Sequence, residues 1–117
     1  MDNATAKSKM TPLLNQETFE ELIGRNKNKP QEGITIVYFT AKWCGPCNRL
    51  GLGQILGLSD KINWYLCDVD ENDYTPGFCG VKSIPSFMTI LNGKPQPLYS
   101  NSDTQAVIQW IKGGFKH

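Results

Sequence analysis

The 117-residue chain carries 12 Lys and Arg against 11 Asp and Glu, a formal net charge of +1, with 39% hydrophobic and 20% charged residues. That composition excludes a wholly disordered chain, and the length fits one domain around one core. Near-neutral charge argues against nucleic acid as the main partner, and no apolar run approaches the ~20 residues needed to span a bilayer.

Residues 1–10 are polar and are expected to form a flexible, frayed tail ahead of one domain over residues 11–117. They lack the apolar centre of a secretory signal and the arginines of a transit peptide, so the expectation is a cytoplasmic protein with no membrane attachment. Four cysteines in that setting point to reduced, metal-binding or catalytic thiols before a structural disulfide framework.

Asn15 can cap a first helix, with Glu17 at its positive end and Leu14 and Phe19 at the spacing of a hydrophobic staple. Phe19, Leu22 and Ile23 form its apolar stripe, and Lys27 and Pro30 mark its exit into a polar loop from Asn26 to Gly33. Ile34 to Thr40 is β-branched and aromatic almost throughout, which predicts a central strand covered on both faces; Ile62 to Val69 reads the same way. Between them, Pro46 to Leu58 suits a helix with Leu50, Leu52, Ile55, Leu56 and Leu58 inward, and strand–helix–strand implies a parallel pair. Ser86 to Leu91 is a further strand, Asn92-Gly93 a tight turn, and Pro95 to Tyr99 the return strand, confined to an edge by its prolines. A last helix opens on the capping-box pattern Ser102-Asp-Thr-Gln105, buries Val107, Ile108 and Ile111, and stops at Gly113. The order makes an α/β domain: a parallel βαβ half, then an antiparallel hairpin and a C-terminal helix.

Trp43-Cys44-Gly45-Pro46-Cys47 stands between a predicted strand and a predicted helix, the context that gives a Cys-x-x-Cys pair chemical meaning. Free N–H groups and the helix dipole favour a thiolate on Cys44, Pro46 is tolerated in the first turn, and Cys47 is near enough to close a small disulfide. The more shielded Cys47 then resolves the mixed disulfide that Cys44 forms. The competing reading is half of a zinc site, but Cys67 and Cys79 are not spaced as a second pair and His117 is the lone histidine.

With these residues the chain resembles the thioredoxin family. The pentapeptide Trp43–Cys47, Ile84-Pro85 before a strand, Asp68-Val69-Asp70 at a strand end and Asn92-Gly93 carry the likeness over roughly residues 11–115. The resemblance implies a thioredoxin-like fold, a five-stranded mixed sheet flanked by four helices with an extra strand near Thr11–Leu14. It implies a protein disulfide reductase, recharged by a thioredoxin-reductase-type flavoenzyme that draws on NADPH, with no metal and no bound cofactor of its own; a monomer is the expected state. It also implies a cis bond at Pro85 and a groove for substrate protein made by Ser83, Ile84, Pro85, Ser100 and Asn101 around Gly45 and Pro46, with Trp43 as a half-exposed lid. Gly-Pro between the cysteines resembles reducing members. The rivals are a thioredoxin-fold scaffold subunit with incidental redox activity, and a disulfide isomerase or oxidase.

The chain departs from the family pattern where a buried Asp–Lys pair is usual: Tyr38 and Leu66 stand there instead. Losing both charges together is coherent, because removing one alone would strand the other. Water, or the Tyr38 hydroxyl through water, is then expected to take the proton of Cys47, with a drier core and a slower resolving step. Thr40 replaces a frequent aromatic, which implies looser packing under the active-site loop. Gly51, Gly53 and Gly57 weaken the helix after Cys47, and Leu52 occupies the place of a kinking proline, so that helix either packs very closely on the sheet or frays beyond Leu52. Cys67 is expected to be an inert buried thiol, Cys79 a candidate regulatory thiol, and Lys42 a solvated charge that modestly favours the Cys44 thiolate.

Overall fold

Ile34–Thr40 forms the strand its side chains predict, and alternation sends Ile36 and Tyr38 into one apolar cluster and Val37 and Phe39 into another. The computed structural model describes residues 1–25 and 32–116. The expected helix exit at Lys27 and Pro30, most of the loop from Asn26, and His117 lie outside the described residues. In chain order the elements are α1 (Asn3–Ser8), β1 (Thr11–Pro12), α2 (Gln16–Leu22), β2 (Ile34–Thr40), α3 (Gly45–Asn48), α4 (Leu52–Leu56), β3 (Ile62–Asp68), α5 (Tyr74–Cys79), β4 (Ser86–Leu91), β5 (Lys94–Pro95), β6 (Tyr99–Ser100) and α6 (Thr104–Lys112). The sheet runs β1-β3-β2-β4-β5, with β6 also on β4. Strands β1, β3 and β2 are mutually parallel, and β4 runs antiparallel to its three partners β2, β5 and β6. This is the expected thioredoxin-like α/β sheet, its fifth strand divided in two.

One face of the sheet packs Ile36, Tyr38, Trp64 and Phe87 under Leu50, Leu52, Ile55, Val107 and Trp110. The opposite face packs Val37, Phe39, Cys67 and Met88 under Phe19 and Leu22. Asn15 caps α2, its side chain accepting from Thr18 N–H at 2.9 Å. The expected staple is not formed, because Leu14 is 59% exposed and Leu13 is the buried residue. Strand β1 ends at Pro12, and Leu13 N–H continues its pairing with Leu66 O at 2.8 Å, which turns the Leu13 side chain into the core.

Four expectations are corrected. Residues 1–10 are not a frayed tail: Asp2 caps α1, accepting from Thr5 N–H at 2.8 Å, and Ala6 and Met10 are buried in the core. The helix expected over Pro46–Leu58 is two helices, broken ahead of Gly51, so neither unbroken close packing nor fraying beyond Leu52 describes it. The return strand is split because Pro95 and Pro97 donate no N–H; Gln96 N–H alone, to Thr89 O at 2.8 Å, bridges the gap. Asp103, not Ser102, caps α6, accepting from Ala106 N–H at 3.0 Å, and Trp110 is buried more deeply than Ile111. Asn92 (φ 49°) and Gly93 (φ 83°) make the expected left-handed hairpin turn. Gly113 is the C-cap of α6, but the left-handed residue is Gly114.

Candidate active site

Strand β2 ends at Thr40, and Ala41 to Trp43 carry the chain to Cys44, which is the N-cap of α3. Cys44 and Cys47 are joined by a disulfide with their Cα atoms 5.2 Å apart. Cys47 N–H points at Cys44 Sγ from 3.1 Å. Helix α3 has only four residues, so the donor that favours a thiolate here is this nearby amide more than a long dipole. Cys47 is fully buried and Cys44 is 3% exposed, in a small cluster with Ala41, Val69 and Ile84. The Ile84-Pro85 peptide is cis, and Ile84 O lies 3.8 Å from Cys44 Sγ. Arg49 lies across Gly45: a β-carbon there would stand 3.2 Å from Arg49 Nη1.

Ile84 separates two grooves. A groove of about 220 Å³ is lined by Pro46, Ser83, Ile84, Pro85, Ser100, Asn101 and Ser102, so the fold gathers the residues expected around substrate, although Gly45 is not among them. Ser86 ties that wall together, its hydroxyl paired with Ser83 O and with Ser100 Oγ. A second groove of about 430 Å³ runs along Trp43, Val69, Pro76, Val81, Lys82, Ser83 and Ile84. Trp43 is 68% exposed, and its indole N–H donates to Asp70 Oδ2 at 2.7 Å. Asp70 is held in turn by its own N–H to Asp68 Oδ1 at 2.9 Å.

Tyr38 sits opposite Leu66 on β3 and Phe87 on β4, and stacks on the Phe87 ring at 5.1 Å. It is fully buried, and neither its hydroxyl nor that of Thr40 has a hydrogen-bond partner among the described residues. Burial raises the Tyr38 pKa above the ordinary phenol value, and the nearby Thr40 hydroxyl offsets part of the rise. The phenol is therefore neutral near pH 7, and it packs in a different cluster from the two cysteines. Lys42, far from being spent on Cys44, makes an exposed pair with Glu71 at 3.9 Å.

Cys67 and Cys79 share the opposite face of the sheet. Burial, then the neighbouring Cys79 and Asp68, push the Cys67 thiol up to about 12, and burial pushes Cys79 up to about 11. A thiol that resists ionisation is a poor nucleophile, which suits an inert Cys67 and weighs against a regulatory role for Cys79. Sequence reasoning missed Ser86, the Asp70–Trp43 bond and the contribution of α1. Asp2 followed by alanines and lysines was the available signal for that helix.

The family model described as Thioredoxin matches residues 10–113. Thioredoxin of Bacillus subtilis is 40% identical over 68 residues, which is 54% of this chain and 64% of that protein. The chain thus spans just under two thirds of that relative. Thioredoxin of Rickettsia typhi is 36% identical over 80 residues, 65% of this chain and 76% of that protein. Mitochondrial thioredoxin 3 from Saccharomyces cerevisiae, in its oxidised form, superposes with a TM-score of 0.79 at 25% identity, covering 92% of this chain and 98% of that one.

Proposed function

The chain belongs to the thioredoxin family, and on that premise we propose that it is a protein thiol–disulfide oxidoreductase that reduces disulfides of other proteins. The observation that carries this reading is the Cys44–Cys47 disulfide at the head of α3, with Ile84 and cis-Pro85 beside it. In the reduced protein, Cys44 thiolate attacks one sulfur of the substrate disulfide. The S–S bond breaks, the leaving sulfur departs as a thiolate and takes a proton, and Cys44 is held in a mixed disulfide. Cys47 loses its proton to water and attacks Cys44 Sγ, which forms the Cys44–Cys47 bond and expels the second substrate thiolate. Two electrons pass to the substrate and the dithiol is oxidised. A thioredoxin-reductase-type flavoenzyme, supplied by NADPH, returns them by the reverse exchange.

An extended segment of substrate protein lies in the groove of Ser83, Ile84, Pro85, Ser100 and Asn101, which Pro46 also lines, with Trp43 lining the neighbouring groove. The electrons travel in the two sulfurs, so neither a metal nor a bound organic group enters the reaction. Gly45 and Pro46 between the cysteines support reduction as its direction. The test is insulin disulfide reduction: Cys44→Ser abolishes it, and Cys47→Ser accumulates a covalent substrate complex that dithiothreitol releases. Normal turnover by the Cys47→Ser variant would overturn the assignment of roles.

A further inference from the structure

A continuous α-helix through Cys47 would bond Leu52 N–H to the carbonyl of Asn48, four residues back. In this protein the side chain of Asn3 takes the place of that rung. Asn3 Nδ2 donates to Asn48 O at 3.0 Å, and Asn3 Oδ1 accepts from Leu52 N–H at 3.1 Å, an amide that also reaches Leu50 O at 3.0 Å. The neighbouring Gly51 N–H donates to Thr104 Oγ1, at the start of α6, at 2.9 Å. The Asn48 carbonyl at one side of the break and the Gly51 and Leu52 amides at the other thereby find partners in distant parts of the chain.

Helix α1 is built to hold Asn3 there. Asp2 caps it, Ala6 and Met10 are buried in the cluster that holds Leu50, Leu52 and Ile55, and Met1 covers Gly53, where a β-carbon would collide with the Met1 carbonyl. The carbonyl that Asn3 holds belongs to the residue after Cys47, and Asn48 N–H closes the turn on Cys44 O at 3.1 Å. Asn48 thus belongs to the same turn as the Cys47 N–H that points at Cys44 Sγ from 3.1 Å.

We propose that Asn3 is a positioning residue for the cysteine turn: its carboxamide, wedged between Asn48 and Leu52, ends α3 and keeps Cys47 N–H aimed at Cys44. A proline at position 52 would serve the same end differently, having no N–H to satisfy; position 52 is the first residue of α4, where the helix backbone accepts proline, at the cost of part of the buried Leu52 side chain in both arms of the comparison. The chemical consequence rests on reading Cys44 as the nucleophile; the wedge itself does not.

The experiment is a cycle of Asn3→Ala, Leu52→Pro and the double variant in the full chain, with Cys44 alkylation followed against pH in the reduced protein and amide exchange followed by NMR. Alanine is the better helix former, so Asn3→Ala leaves α1 itself intact. The expected results of Asn3→Ala are exchange at Leu52 at least tenfold faster with Ile90 unchanged, and Cys44 alkylation at pH 7 slowed three- to tenfold with its midpoint moved to higher pH. In the Leu52→Pro background the same change costs less than twofold in alkylation. The proposal is overturned if Leu52 exchange stays within twofold of wild type, if Cys44 reactivity is unmoved by Asn3→Ala, or if the loss is equal in both backgrounds. Wild-type Cys44 that alkylates like free cysteine would instead defeat the dithiol reading, and the Leu52 exchange difference would still decide the wedge.

Discussion

Tyr38→Phe removes one oxygen from the centre of the core, and the structure gives the sign of the result. The Tyr38 hydroxyl is buried without a hydrogen-bond partner among the described residues, while the ring stacks on Phe87 and would keep that contact as phenylalanine. Burying an unsatisfied hydroxyl costs about 1–3 kcal/mol. Its removal leaves a hole of roughly 10 Å³, which takes back about 0.3 kcal/mol. The low end of that range leaves a net gain of about 0.7 kcal/mol for the variant. Unfolding entropy for a chain this long is about 0.25 kcal/mol per degree, so the melting temperature rises by about 3 °C. The alkaline limb changes as well. The Tyr38 pKa is raised in the fold above 10.0, so its contribution to stability is complete below pH 10 and is lost as pH climbs through the folded value; the variant lacks that loss. Urea unfolding of the oxidised protein at pH 7 and at pH 11 reads both effects. Resolution of the mixed disulfide stays within about twofold of wild type, because a neutral phenol outside the cysteine cluster is no base for Cys47. A variant less stable than wild type at pH 7 would refute the argument, since it would mean that the hydroxyl is satisfied. A resolving step slowed more than fivefold would refute the functional half by placing that hydroxyl in the path of the proton.

Asp70→Ala removes the carboxylate that accepts from the Trp43 indole, and losing about 1 kcal/mol of positioning corresponds to roughly fivefold in kcat/KM for protein disulfides. Asp70→Asn, which keeps an acceptor, falls between, and an unchanged kcat/KM in Asp70→Ala would show that the indole needs no support. Cys67 and Cys79 both have pKa values above their ordinary 9.0, so stability is flat below pH 9 and falls as pH rises toward about 11 and about 12 while the unfolded chain loses the protons first. Cys67→Ala lessens that alkaline slope by up to about 1.4 kcal/mol per pH unit in urea titrations between pH 9 and 11, and an unaltered slope would show that Cys67 does not titrate with unfolding.

Much of this protein is written locally. β-Branched and aromatic side chains make Ile34–Thr40 and Ser86–Leu91 strands wherever they are placed in a two-sided sheet, and Asn92-Gly93 turns because those residues accept positive φ. The pentapeptide around Cys44 likewise carries its chemistry in a five-residue window, which is why the pair could be singled out before any fold was known. The ends of elements were less legible, since Asp103 and Ser102 are both good caps and only the geometry of the chain arriving at α6 chose between them. What packing alone decided involves partners distant in sequence. Asn3 meets Asn48 and Leu52, Gly51 meets Thr104, and Trp43 meets Asp70, each pair brought together by the sheet beneath. Propensity and periodicity act over a turn or two of chain, whereas an orphan amide in a broken helix takes whatever acceptor the completed fold delivers. The break behind Cys47 therefore belongs to the tertiary structure, while the sulfurs in front of it were plain from the sequence.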